Sequence, residues 1–321
     1  MDEIPQTLLE AIRYFSDADI CNEWMRDIKW PDGKITCPKC GGDSVSPVKG
    51  RPTLQCNSRA CKAQTSYKVG TIFEDSPLSL DKWFVAMWSI ANCRNGISSH
   101  ELARALGIRQ KSAWFMLHRI RCAMHIGTDH KWDGEVESDE TYIGGLAKNM
   151  HAKRRAKKIT GRGGADKTPV QAMVRRDPEG SEVRTFVVPA TDAEAIVGNI
   201  MRNVDRETAV YTDGETAATG LAAAFRHETV NHSAWEFVRG RVHTNSVENF
   251  FTLLKRAIKG TYVAVSPWHL FRYAHEQGYR FNVKDLSDAA RFIRLLRGVV
   301  GKRLTYKELA AIGDAGFMGI K

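Results

Sequence analysis

The chain has no run of about 18 apolar residues, so no helix able to cross a membrane is expected. No internal repeat stands out. Its seven cysteines are an odd number in a long chain, which argues against a disulfide framework. The opening residues, MDEIPQTLLEAIRYF, are acidic and amphipathic and lack the pattern of a secretory signal, which predicts an intracellular protein. Hydrophobic residues make up 43% and charged residues 26%, a balance that sets aside disorder, collagen and a coiled-coil rod as overall descriptions. A length of 321 residues suggests two domains, with room for a small third. The formal net charge of +10 keeps polyanions in view as partners.

Four of the cysteines fall into two short hooks, Cys37-Pro-Lys-Cys40 and Cys56-Asn-Ser-Arg-Ala-Cys61. Gly41 and Gly42 follow the first hook and let the backbone turn around an ion. Four thiolates in this spacing suit one tetrahedral, structural Zn²⁺. The stretch from Ser44 to Gln55 reads as a hairpin between the hooks, so the module reads as a zinc ribbon over residues 34–72, after an N-terminal helical segment of residues 1–33. Cys21, Cys93 and Cys122 lack partners at ligand spacing and are expected to be buried.

After Pro77 the sequence turns helical. Trp83, Ala86, Met87 and Ile90 recur at three- and four-residue steps and mark one apolar face. In the following stretch, Ser98 or Ser99 can cap a short helix carrying Leu102, Ala103 and Leu106, and Gly107 supplies a turn. A second helix starts near Gln110, with Ala113, Leu117 and Ile120 inward. Residues 78–130 therefore read as a helix-turn-helix-like segment, with Arg109, Gln110, Lys111 and Ser112 placed to face a major groove. The same pattern fits an ordinary helical hairpin with a solvated basic face.

From Glu135 the pattern changes to strands. Glu135 to Gly145 alternates and then breaks at two glycines. Pro169–Val174 and Val183–Val188 read as two further strands. A helix with Ala195, Ile196 and Ile200 on its inner side follows. Thr208–Asp213 reads as a strand ending at an acid, and Glu215–Phe225 as a helix. This order predicts an α/β fold, a mixed sheet flanked by helices, specifically a ribonuclease H-like core over residues 133–283. Asp139 is expected near the end of the first strand and Asp213 at the end of the fourth. Asn245 is expected to cap a later helix, with Glu248 at its third position and Lys255 seven residues on, on the same face.

The stretches Ser138-Asp-Glu-Thr-Tyr-Ile-Gly-Gly145, Tyr211-Thr-Asp-Gly214, His243-Thr-Asn-Ser-Val-Glu-Asn-Phe-Phe251, Leu253-Leu-Lys-Arg256 and Gly260-Thr-Tyr262 together resemble the DDE transposases of the bacterial IS1595 insertion-sequence family, including its ISXO2-like group. That family also carries an N-terminal zinc ribbon, so the resemblance covers nearly the whole chain. It implies that Asp139, Asp213 and Glu248 are an acidic triad holding two Mg²⁺ ions, with Mn²⁺ able to substitute, and that Lys255 is the accompanying base. Some relatives are described with Asn as the third ligand, so Asn245 and Asn249 stand as alternatives to Glu248. The implied activity is Mg²⁺-dependent cleavage and strand transfer at insertion-sequence ends. The implied partners are the terminal inverted repeats and target DNA, bound by a homo-oligomer in the cytoplasm at the nucleoid. Two other readings remain: a domesticated zinc-ribbon regulator without catalysis, and a ribonuclease H-like nuclease that cleaves without joining.

Residues 146–165 hold seven Lys or Arg and no acid, a basic insert between the first two strands. Arg154, Arg155, Lys157 and Lys158 are candidates for tracking a phosphate backbone, with Arg256 further on. By contrast, residues 134–147 hold four acids and no Lys or Arg. The aromatics of Pro267–Asn282 stand at helical spacing and are expected in the core, with His269 and His275 structural. Residues 284–321 read as a helical tail, with Ala289, Phe292, Ile293 and Leu296 on one face.

Overall fold

The chain folds into two units, and the first is assembled from two separate stretches, residues 1–125 and 286–311. The second comprises residues 126–285 and 312–321. The computed structural model describes residues 4–125, 130–145, 150–158, 167–214 and 220–311.

In the first unit, α1 (Leu8–Tyr14) opens on a reciprocal cap, in which Thr7 Oγ1 accepts the Glu10 N–H and the Glu10 carboxylate accepts the Thr7 N–H. Helix α2 (Ala18–Lys29) is capped by Asp17. Strands β1 (Val45–Pro47), β2 (Thr53–Cys56) and β3 (Gln64–Ser66) form an antiparallel sheet in that order. The hairpin expected over Ser44–Gln55 is β1 and β2. Helix α3 (Leu80–Asn92) buries Trp83, Ala86, Met87 and Ile90. Helices α4 (Ser99–Leu106) and α5 (Gln110–Met124) follow. Ser98, rather than Ser99, caps α4 in a second capping box with Glu101. Gly107 closes α4 at φ +61°, a left-handed conformation that other residues enter at a cost. Ala113, Leu117 and Ile120 are buried along α5. Cys21 is buried as expected, but Cys93 is exposed and Cys122 half-buried. Cys93 is the residue that ends α3, past the last turn of its apolar stripe.

The second unit holds β4 (Glu135–Ile143), α6 (Ala152–Lys158), β5 (Thr168–Arg176), β6 (Glu182–Val187), α7 (Ala193–Asn203), β7 (Ala209–Asp213), β8 (Arg226–Val230), α8 (Asn245–Ala257) and α9 (Leu270–Asn282). Five strands form one mixed sheet in the order β6-β5-β4-β7-β8. Strand β5 runs antiparallel to both β4 and β6, whereas β7 runs parallel to both β4 and β8. Strand alternation divides the core. Val136, Met173 and Val210 pack with Ile196 and Ile200 of α7 on one face. Ile143, Ala172 and Val174 pack with Val247, Phe250 and Leu254 of α8 and Ala274 of α9 on the other. The result is the expected α/β arrangement, a mixed sheet with helices on both faces.

Three local expectations are corrected. Of the helix read over Glu215–Phe225, residues 215–219 lie outside the described residues, and the described remainder is a single 3-10 turn at Leu221–Ala223. The chain then forms a fifth strand, β8, whose polar residues hide it because it pairs only with β7 and lies at the edge. Within Pro267–Asn282, Tyr273, Tyr279 and Phe281 are buried, but Trp268 is exposed because it sits in a short 3-10 turn before α9 begins.

Helices α10 (Asp288–Arg297) and α11 (Tyr306–Ala311) belong to the first unit. The Phe292 ring lies 5.1 Å from Phe15, 5.7 Å from Phe84 and 5.4 Å from Trp88, so the C-terminal segment supplies the middle of that unit's aromatic core. At the end of α10, a Cβ on Gly298 would stand 2.5 Å from the carbonyl oxygen of Ala123. Only glycine permits that approach.

Candidate functional site

Two clusters of chemistry-bearing side chains stand out, one in each unit. In the first, Cys37, Cys40, Cys56 and Cys61 bring their sulfurs within 4.8 Å of one another. Cys37 and Cys61 Sγ are 3.9 Å apart and Cys40 and Cys56 Sγ 3.7 Å. A tetrahedron of ~2.3 Å Zn–S bonds has edges of about 3.8 Å, so the four sulfurs fit one zinc ion. The first hook is shaped by the Cys37 carbonyl, which accepts the Gly41 N–H at 2.8 Å, with Gly41 at φ +73°. The backbone N–H groups of Cys40 and Lys39 point at Cys37 and hold its thiol down at about 7, whereas at Cys56 and Cys61 burial and the neighbouring thiols outweigh the local N–H groups and push the thiols up, so the cluster needs a cation to hold more than one thiolate. This donor set supports a structural zinc.

The second cluster lies where β4 and β7 part. Their parallel ladder pairs Glu135 with Ala209, Val136 with Val210 and Glu137 with Tyr211, then stops. Carried two residues further, the same register sets Asp139 level with Asp213, which stays paired with Val230 of β8. Asp139 thus stands in the middle of β4 and not near its end, since the strand continues to Ile143 beside β5. Asp139 points to the face covered by α8, whereas Glu140 points to the opposite face. The Asp139 carboxyl is pushed up to about 7, by burial first and then by the charges of Asp213 and Glu248. The Glu140 N–H, 2.7 Å from Asp139 Oδ1, and the Lys255 charge oppose that rise. The structure therefore brings Asp139, Asp213, Glu248 and Lys255 into one electrostatic neighbourhood. Among the described residues, the four cysteines alone gather three or more metal-ligand atoms within 4.8 Å, so the three carboxylates are more widely spaced than the thiolates.

Helix α8 carries Glu248, and its start differs from expectation. Thr244 is the N-cap and Asn245 the first helical residue, which makes Glu248 the fourth. Thr244 makes no side-chain cap; its Oγ1 instead donates to Glu248 Oε1 at 3.2 Å. The cap comes from elsewhere in the chain. Glu137, fully buried on β4, accepts the N–H groups of Ser246 and Val247 at Oε2, 2.8 and 3.0 Å away. Its Oε1 accepts Arg176 Nε at 2.6 Å. Arg176 also donates to the Arg241 carbonyl (2.6 Å) and to the His243 carbonyl and Nδ1 (both 2.7 Å). A guanidinium has no acceptor, so His243 Nδ1 must accept from it; the 3.3 Å approach of that nitrogen to Glu137 is then no ion pair. Sequence reasoning missed Glu137, Arg176, His243 and Thr244 as organisers of the site. The signal for Glu137 was its position two residues before Asp139, which puts both on one strand face.

The remaining candidates are spread more widely. Asn245, Asn249, Lys255 and Arg256 are exposed on α8. Arg109, Lys111 and Ser112 are exposed around the start of α5, whereas Gln110 is half-buried and donates to Ser99 Oγ at 2.8 Å. Arg155 is exposed on α6. Arg154, Lys157 and Lys158 fall on the same helix, but their side chains, like residues 146–149 and 159–166 of the insert, lie outside the described residues.

No helix among the described residues is long and apolar enough to cross a membrane. Comparison with known proteins gives two family matches: residues 131–282 match the ISXO2-like transposase domain and residues 16–64 the transposase zinc-ribbon domain. An uncharacterized protein in transposable element ISH50 of Halobacterium salinarum is 29% identical over 245 residues, spanning 72% of this chain and 80% of that protein. No solved structure matches the chain. The two family matches fall in the order zinc ribbon, then transposase domain, and meet the cysteine cluster and the five-stranded sheet: over both stretches the chain matches the IS1595 family of ISXO2-like insertion-sequence transposases.

Proposed function

We propose that the second unit is a ribonuclease H-like DDE catalytic domain that cuts and joins DNA at insertion-sequence ends, with Asp139, Asp213 and Glu248 as its acidic triad. The observation that carries this reading is the half-buried Asp139 carboxyl, raised by desolvation and by two other acids that arrive from separate elements. Like charges gathered in a half-buried place repel, and proteins keep such an arrangement where a cation offsets it. The strand order is also that of a ribonuclease H-like sheet: three antiparallel neighbours, then two parallel strands added beside the first.

Carboxylates are the hard oxygen donors that Mg²⁺ prefers. Bound there, Mg²⁺ would supply Lewis-acid stabilisation of the charge that builds up on phosphate during in-line displacement. The residues of the chain do the rest. Thr244 holds Glu248 by a hydrogen bond, and Glu137 fixes the helix end from which Glu248 projects. Lys255 lies near enough to act on Asp139 and would neutralise a non-bridging phosphate oxygen, with Arg256 beside it. Asn245 and Asn249 flank Glu248 as alternative third ligands.

In the first unit, the zinc ribbon and the α4–α5 pair would bind the terminal repeats. Arg109, Lys111 and Ser112 would reach the major groove, while Gln110 ties α5 to α4. Arg154, Arg155, Lys157 and Lys158 would follow phosphates. Two ends must be joined, so a homo-oligomer on DNA is expected, working in the cytoplasm at the nucleoid.

The test uses purified protein, Mg²⁺ and a labelled duplex carrying the element's terminal repeat. Asp213→Asn should abolish cleavage and strand joining and leave end binding within a few-fold of the unaltered protein. Full activity in that variant would remove Asp213 from the mechanism, and cleaved but never joined products would mark a nuclease.

A further inference from the structure

The segment after β8 presents an aromatic strip that begins at Glu248. His232 Nε2 lies 3.8 Å from Glu248 Oε1. The His232 ring stands 5.2 Å from the ring of Phe237, and Phe237 stands 6.2 Å from Trp235, edge to face. Trp235 is 83% exposed, the highest value among the exposed large apolar side chains described, and Phe237 is 50% exposed. A free indole beside a polar, charged centre contributes nothing to the hydrophobic core.

Its backbone is held in an unfavourable conformation as well. Trp235 adopts φ +61°, where bulky residues are rare. Local hydrogen bonds enforce it. The Asn231 carbonyl accepts the N–H groups of Ala234 and Glu236, both at 3.0 Å, and the His232 carbonyl accepts that of Trp235 at 3.1 Å. Asn231 Oδ1 accepts the Ala234 N–H at 3.2 Å, and Glu236 Oε2 accepts the Asn231 N–H at 3.3 Å. The turn spends its hydrogen bonds on keeping the indole outward.

The surroundings select the partner. Arg239 is anchored to the β8 edge by Glu228 Oε2 (3.4 Å) and the Thr229 carbonyl (3.2 Å) and lies 3.7 Å from Glu236 Oε1, yet its side chain is 53% exposed. Arg241 pairs with Glu135 and remains 80% exposed. Exposed aromatic faces with exposed arginines on the same segment match a nucleic-acid strand, whose bases stack on rings and whose phosphates meet guanidinium groups.

We propose that Trp235, continued by Phe237, is a stacking platform for a nucleobase that leaves the duplex beside the phosphate being cut. This rests on the reading of Asp139, Asp213 and Glu248 as the cutting site. A base held on the strip would fix the rotation of its own nucleotide and so present the neighbouring phosphate to Glu248. Stacking tolerates any base, because every base has a π-face, so the platform adds positioning and not sequence choice.

The test uses the full chain, Mg²⁺ and three versions of the terminal-repeat duplex: fully paired, mismatched at the nucleotide beside the cut, and abasic there. Trp235→Ala should cut the paired duplex about 10-fold or more slowly, the effect expected of one lost stack. On the abasic duplex, which offers no base to stack, the variant and the unaltered protein should cut alike; the mismatched duplex, which lowers the cost of unpairing, should narrow the gap; binding should change less than about 3-fold, and Trp235→Phe should retain most of the rate. Rescue by the unpaired duplex separates positioning from a folding defect. Wild-type rates for Trp235→Ala on the paired duplex, or an equal defect on all three, would overturn the platform. So would a change in self-association without DNA that leaves cutting intact. Fluorescence of 2-aminopurine at the same nucleotide, measured on bound DNA without Mg²⁺, reports stacking even if no version is cut. A signal that Trp235→Ala abolishes would then uphold the platform while the cutting reading fails; a signal that the variant leaves unchanged would reject the platform.

Discussion

Glu137 accepts the backbone N–H of Ser246 at 2.8 Å across 109 residues of chain. One buried carboxylate thereby caps α8, pairs with Arg176 and stands on the strand face that also carries Asp139. The two acids differ by two positions in sequence and by role: one is saturated with donors, the other is crowded by like charge.

Replacing Glu137 with Ala should be severely destabilising, on the order of 3–5 kcal/mol, because Arg176 and two helix N–H groups lose a buried partner at once. Glu137→Gln keeps an acceptor oxygen and should lose less. Denaturant unfolding of the two variants measures the difference; equal and small losses would show that the cap contributes little.

Asp139 makes the metal-free protein sensitive to pH in a defined direction. Burial and the neighbouring acids push its carboxyl up to about 7 in the folded chain, from an ordinary 3.8. Between those values the folded state binds more protons than the unfolded state, so stability falls as pH rises through that window. Below it both states are protonated and the penalty vanishes. Asp139→Asn should therefore melt several degrees higher than the unaltered protein at pH 8 without metal, and the gap should close by about pH 3. A lower melting temperature for the variant at pH 8 would contradict this origin of the shift.

The four sulfurs predict one zinc per chain by metal analysis. Cys40→Ser should lose it, and chelation should unfold β1–β3, since a ribbon this small has little apolar core of its own beyond Leu54. Protein isolated with no zinc and an intact ribbon would refute the assignment.

Gly298→Ala should cost about 1–3 kcal/mol, because its methyl group would meet the Ala123 carbonyl at 2.5 Å, and backbone yields less readily than a side chain. Thermal unfolding of the variant reads this directly. An unchanged melting temperature would mean that the α5 end shifts freely.

What could be read from the amino-acid order was local chemistry. Two cysteine hooks announce their metal because ligand spacing within a hook is set by a few backbone bonds. Ser98 or Ser99 announces a helix start, and Gly107 its end, for the same reason. Strand alternation put Asp139 and Glu140 on opposite faces, since side chains in a strand alternate whatever surrounds them. The IS1595 motifs were legible as words in order.

The tertiary structure decided what depends on partners distant in the chain. Strand β8 exists because β7 offers it an edge, and its own polar residues carry no strong period. Phe292 becomes core only because the chain returns to Phe15, Phe84 and Trp88. The cap of α8 is Glu137, a residue no local rule could select, and the meeting of Asp139 with Asp213 depends on where one ladder stops. Local spacing determined which chemistry the chain holds; pairing across more than a hundred residues determined where the charges meet, because burial and repulsion arise only between groups that folding brings together.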